Sequence, residues 1–168
     1  AEMLNIAEQR NPDQPLENPF KLGDTPVETI GEGVEAFRDQ EWTKIYNNAV
    51  DLIQKEKVED AKKQIETAIL IHPKKGENYT TLAAMYIQDG NMEMALSTAD
   101  RGLEEEPENS MLFQMKADIL VQNNDLELAK ELYLKSIQFS GDPGPIMRKL
   151  LFVYIDMGDN QKAINYSN

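Results

Sequence analysis

The chain has 168 residues, 40% of them apolar, and its 30 acids, 17 bases and one histidine set a net charge of −13. That apolar share can build a sizeable core and argues against a disordered chain, while no apolar run nears the ~20 residues that span a bilayer. So acidic a surface repels a phosphate backbone, so nucleic acid is not expected as a partner, and the lack of cysteine removes disulfides, thiolate metal sites and a cysteine nucleophile.

No basic-then-apolar leader opens the sequence. It begins at Ala1 rather than Met, so a removed targeting segment stays open, and with it the choice between cytoplasm and periplasm for a soluble protein. Arginine is scarce beside lysine and asparagine, a composition that points to an AT-rich bacterial genome.

Residues 1–41 form an acidic N-terminal segment, with 10 acids against 3 bases. Leu4, Ala7 and Pro12 share a spacing that returns further along, so residues 2–9 are expected to be the closing helix of a partial repeat. Pro12, Pro15, Pro19 and Gly23 then mark residues 11–24 as a loop. Thr25-Pro26-Val27-Glu28 reads as a capping box with proline at the first helical position. Val27, Ile30, Val34 and Phe37 follow at helical spacing and predict a helix over about 26–39. Gly31 and Gly33 inside it mark either a close helix crossing or tolerated slack.

Beyond residue 41 the chain repeats itself. Ala61, Ala95, Ala129 and Ala163 stand 34 residues apart, in the strings V-E-D-A-K, M-E-M-A-L, L-E-L-A-K and N-Q-K-A-I. With each alanine as position 20, units begin at Trp42, Gly76, Ser110 and Gly144, giving 42–75, 76–109, 110–143 and an incomplete 144–168. Position 8 is small in three of them (Ala49, Ala83, Ala117) and Leu151 in the fourth. Position 11 is Leu52, Tyr86, Leu120 and Tyr154, and position 4 is Ile45, Tyr79, Phe113 and Met147. Positions 4, 8 and 11 share one face of a first helix. An alanine at position 20 lets the second helix approach it closely. Pro73 and Pro107 at position 32 end that second helix. Asp89-Gly90-Asn91, Asn123-Asn124-Asp125 and Gly158-Asp159-Asn160 suit the tight turn between the two helices.

A strict period of 34 in four units in phase resembles the tetratricopeptide repeat family over residues 42–168. The second unit matches best, through Tyr79, Leu82, Ala83, Tyr86, Gly90, Ala95 and Pro107; the first departs from the pattern with Asn48 and with Glu56 where glycine is usual. The resemblance implies an all-α fold, a right-handed superhelical solenoid of helix-turn-helix repeats whose first helices line a concave groove. It also implies that positions 2, 5, 9, 12 and 13 face that groove. Positions 5, 9, 12 and 13 hold Tyr46, Val50, Ile53 and Gln54; Thr80, Ala84, Ile87 and Gln88; Gln114, Asp118, Val121 and Gln122; and Arg148, Phe152, Ile155 and Asp156. The aliphatic stripe at position 12 has two readings. It lines the groove beside hydrogen-bonding amides, or it packs against the next unit.

The resemblance brings one testable subfamily, the members that grip acidic peptide tails with a clamp of lysine, asparagine and arginine side chains. Reading from the first unit, the clamp positions hold Tyr46, Val50, Thr81, Met111 and Met115. From the second they hold Thr80, Ala84, Met115, Pro145 and Lys149. The clamp is missing in both registers.

The expectation is a non-catalytic scaffold that binds a protein or peptide in its groove, with no cofactor and no metal. The alternative is a substrate-recruiting or regulatory arm of an enzyme whose catalytic domain lies outside this chain. No phosphate-binding glycine loop, metal-ligand cluster or paired acid and base is visible in the sequence. His72, just before Pro73, reads as a surface loop residue, and Trp42, Tyr79, Tyr86, Phe113, Tyr133 and the eight methionines read as core. The last helix begins shortly before Asn168, so the apolar face carrying Ile164 is expected to continue into further chain or to be covered by a contact, such as a homodimer through exposed repeat ends.

Overall fold

The 34-residue period is written into the backbone of the turns. Four residues have a positive φ at that spacing: Glu56 (57°), Gly90 (75°), Asn124 (63°) and Gly158 (76°). In each case the following N–H donates to a carbonyl five residues back, Lys57 to Leu52 at 2.9 Å, Asn91 to Tyr86 at 2.8 Å, Asp125 to Leu120 at 2.9 Å and Asp159 to Tyr154 at 2.9 Å. This closure uses the orphan carbonyls of the first helix and turns the chain back at once into the second. The acceptors are the four position-11 residues.

The structure, a computed structural model, describes residues 11–22 and 25–166; the helix expected over 2–9 lies outside them. The chain divides into two units, 1–73 and 74–168. Its fold class is all-α, a solenoid of tetratricopeptide-type helical pairs, with one short two-stranded sheet added near the N-terminus.

In the first unit, strand β1 (Pro15–Leu22) pairs antiparallel with β2 (Thr25–Thr29), followed by helices α1 (Ile30–Gln54) and α2 (Val58–Ile71). The segment expected to be a loop is therefore half of a hairpin. Its prolines are tolerated because each strand has only one paired edge, and Pro19 falls in the irregular stretch of the register between Pro15 and Phe20. The helix expected over 26–39 starts later and runs on. Pairing with β1 draws Thr25–Thr29 into extended backbone, and the capping box forms one turn on. The Thr29 hydroxyl accepts from Glu32 N at 3.2 Å, and the Glu32 carboxylate accepts from Thr29 N at 3.0 Å and Glu28 N at 2.7 Å. These backbone donors hold the Glu32 carboxyl below its usual range. No glycine or proline lies between Phe37 and Gln54, so nothing stops the helix at 39. Gly31 serves a close approach, though not between helices: its N–H donates to Pro12 O at 2.7 Å, and a Cβ there would sit 3.0 Å from the same oxygen.

Ala49, Ala61, Ile65 and Ala68 are fully buried between α1 and α2. His72 caps α2 and is not a surface residue. It is 4% exposed, with Nε2 3.1 Å from Glu35 Oε1 and 3.4 Å from Asp39 Oδ1 of α1. The proline that ends the helix thus also turns the imidazole inward against acids one turn apart on α1, a contact across more than 30 residues that no local pattern announces.

The second unit holds three further helical pairs: α3 (Gly76–Gln88) with α4 (Met92–Glu105), α5 (Ser110–Gln122) with α6 (Leu126–Phe139), and α7 (Gly144–Asp156) with α8 (Asn160–Asn165). Each helix packs on the next in sequence, and α3 also touches α5. Ala95 and Ala129 are fully buried and Ala163 nearly so. The side chains of Asn91, Asn109 and Asp159 cap α4, α5 and α8 by accepting from Met94 N, Leu112 N and Lys162 N. Ala117, Tyr133, Ile146, Leu150, Val153, Tyr154 and Ala163 form one core cluster.

Candidate functional site

Positions 5, 9, 12 and 13 follow one another at steps of four, three and one, so on each first helix they form one face. In the second unit those helices are α3, α5 and α7. On α3, Thr80 and Ile87 are half-buried and Ala84 and Gln88 exposed. On α5, Gln114, Asp118 and Val121 are half-buried and Gln122 exposed. On α7 the whole set is exposed: Arg148, Phe152 at 63%, Ile155 at 48%, and Asp156. In the first unit, Tyr46 and Val50 on α1 are half-buried and Ile53 and Gln54 exposed. Tyr46 stacks on Trp42, ring centroids 5.0 Å apart.

Part of the predicted set converges. Asp118, Val121 and Gln122 from α5 and Phe152 and Asp156 from α7 line one open depression of about 360 Å³, together with Tyr133, Lys149 and Val153. Thr80, Ala84, Ile87, Gln88, Gln114, Arg148 and Ile155 lie outside it. Val121 also packs against the core cluster.

A polar network forms the floor. Asp118 accepts from the Tyr133 hydroxyl at 2.5 Å and from Lys149 Nζ at 2.6 and 2.8 Å. Burial, followed by the neighbouring Asp118 carboxylate, raises the Tyr133 phenol well above its usual value, so it stays a donor. Asp118, a groove candidate from the sequence, is thus already committed. Sequence reasoning placed Tyr133 in the core and met Lys149 only as a clamp position. The available signal was the spacing: Asp118 and Lys149 are 31 residues apart, one period less one short helical step. Two opposite charges so placed face each other on adjacent first helices.

Chemically, the depression offers an exposed aromatic ring, a carboxylate and an amide beside a neutralised ion pair. Among the described residues no three histidine, aspartate or glutamate side chains are arranged to hold a metal ion, and no helix is long and apolar enough to cross a membrane.

The tetratricopeptide repeat family is recognised over residues 112–143, which span most of α5 and all of α6. No curated protein matches the sequence. Among solved structures, the chain resembles PilF of Pseudomonas aeruginosa at 18% identity and a TM-score of 0.66, over 77% of this chain and 59% of that one. It also resembles the type III secretion chaperone SycD of Yersinia enterocolitica, solved with a peptide of the translocator YopD, at 15% identity and a TM-score of 0.63, over 70% of this chain and 95% of that one. The Sgt2 tetratricopeptide domain of Aspergillus fumigatus follows at 21% identity and a TM-score of 0.62, over 73% and 82%. At these identities the likeness is one of fold. The chain spans less than two thirds of the length of the PilF structure.

Proposed function

Because this chain carries a tetratricopeptide repeat and folds into the helical pairs such repeats build, we propose that it is a non-catalytic interaction scaffold that binds a peptide or protein along the face of its first helices. The observation that carries this reading is the exposure of Phe152 and Ile155 on α7. Large apolar side chains left in water beside a depression mark a surface suited to a partner. Ile87 on α3 and Val121 on α5, both half-buried, hold the same repeat position as the exposed Ile155 on α7, a spacing that suits an extended segment or a helix. The similar structure of SycD, solved in complex with a peptide of the translocator YopD, supports this reading. An acidic tail is not the ligand we propose, since Lys149, a base at a clamp position, is engaged by Asp118.

Selection of a phage-displayed 12-residue peptide library on the chain tests the proposal, with counter-selection on the double variant Ala84→Trp, Ile155→Glu. Both positions are exposed, so the variant should keep its helical circular dichroism. Sequences enriched on wild type and lost on the folded variant support the groove. Equal enrichment on both contradicts it.

A further inference from the structure

We infer that the depression between α5 and α7 is a subsite for an arginine side chain of the bound segment, stacked on Phe152 and paired with Asp156; this rests on the groove reading above. The starting point is charge. The lining holds two carboxylates, Asp118 and Asp156, and one base, Lys149. Lys149 and Asp118 satisfy each other at 2.6 Å, and Tyr133 takes a further lone pair of Asp118. Asp156 is left as the exposed charge, and the depression carries a net negative one. Arg148, exposed one turn before Phe152, does not line the depression.

Geometry then selects the guanidinium. Phe152 and Asp156 are four residues apart on α7 and so lie one above the other on the same face. A planar cation lying over the Phe152 ring gains from the ring's negative face and reaches the carboxylate one turn on. The Gln122 amide across the depression can accept a further N–H. An ammonium makes the ion pair but stacks less well. A carboxylate meets repulsion from Asp156, and the base in the lining, Lys149, is held by Asp118.

The test uses four fluorescein-labelled 12-residue peptides with the same leucine and phenylalanine anchors, differing only at two positions that hold arginine, lysine, glutamine or glutamate. Fluorescence anisotropy with the whole chain is read at low and at physiological salt. The expected order is arginine, lysine, glutamine, glutamate, with about tenfold or more between the ends and a narrower spread at higher salt. Asp156→Asn and Phe152→Leu, both at exposed positions, each lower arginine-peptide affinity severalfold, and Asp156→Lys reverses the order of the two charged ends. Equal affinity for arginine and glutamine peptides, with both lost on Ala84→Trp, overturns the subsite and leaves the groove reading standing. Binding that survives both Ala84→Trp and Phe152→Leu, or no binding by any peptide, overturns the subsite and the groove reading together.

Discussion

Lys149 Nζ stands 2.6 Å from Asp118 Oδ2 and so ties α7 to α5 across the face where a partner would lie. Both side chains are about a third exposed or more, so solvent screens the pair and its contribution stays under about 1 kcal/mol. A double-mutant cycle with Asp118→Asn and Lys149→Met, read by urea unfolding, should give a coupling energy of a few tenths of a kcal/mol up to about 1 kcal/mol, shrinking with salt. A coupling of zero at low salt would mean that the two groups are independent in solution.

Glu56 offers a gain in stability. It is the turn residue of the first helical pair and adopts φ 57°, where the second and fourth pairs use Gly90 and Gly158. A side chain in left-handed backbone costs roughly 1 kcal/mol, partly offset in the variant by glycine's greater freedom in the unfolded chain. Glu56→Gly should therefore raise stability by about 0.5 kcal/mol, seen as a higher urea midpoint with an unchanged slope. A lower midpoint would show that the Glu56 side chain makes a compensating contact.

Gly102 should tolerate nothing larger. It is buried on α4, and a Cβ there would sit 2.6 Å from Leu112 Cδ1 and 2.7 Å from Tyr79 Cβ. The Tyr79 atom is fixed to its own backbone, so α3 would have to move. Gly102→Ala should cost about 1–3 kcal/mol as overpacking does, despite alanine's better helix propensity. Thermal unfolding followed by circular dichroism decides, and an unchanged midpoint would contradict the packing described here.

The capping box at Thr29 makes a prediction about pH. The Glu32 carboxyl is held below its ordinary value of 4.5, chiefly by the backbone N–H groups of Glu28 and then Thr29. A carboxyl depressed on folding contributes stability above its unfolded value, and loses it as pH falls through the lower folded value. Wild type should therefore exceed Glu32→Gln in stability at neutral pH, and the gap should close in acid. A gap that stays constant between neutral pH and strong acid would rule out the carboxylate as its source.

Most of the repeat was legible because its signal is redundant. Ala61, Ala95, Ala129 and Ala163 recur at a fixed step, and each sits buried where two helices meet. What escaped was specified by single contacts. Pro15 and Pro19 argue for a loop until β2 supplies the paired edge. Thr25–Glu28 and Thr29–Glu32 are equally good capping boxes, and only the pairing of Thr25–Thr29 with β1 chooses between them. His72 sits beside Glu35 and Asp39 because α2 packs back on α1, which a loop-like His-Pro pair does not reveal. At the candidate site, the first-helix positions could be written down in advance. That Asp118 is taken by Tyr133 and Lys149 could not, because it depends on how three helices meet.

The central claim is that a partner lies along the first helices. Site-specific photo-crosslinking tests it most directly, with p-benzoylphenylalanine placed either at Gln122 on α5 or at Glu131 on α6, both exposed, and a library-selected peptide as ligand. The account predicts a crosslinked product from position 122 and none from 131. Crosslinking from 131 alone would place the partner on the second helices and contradict the account.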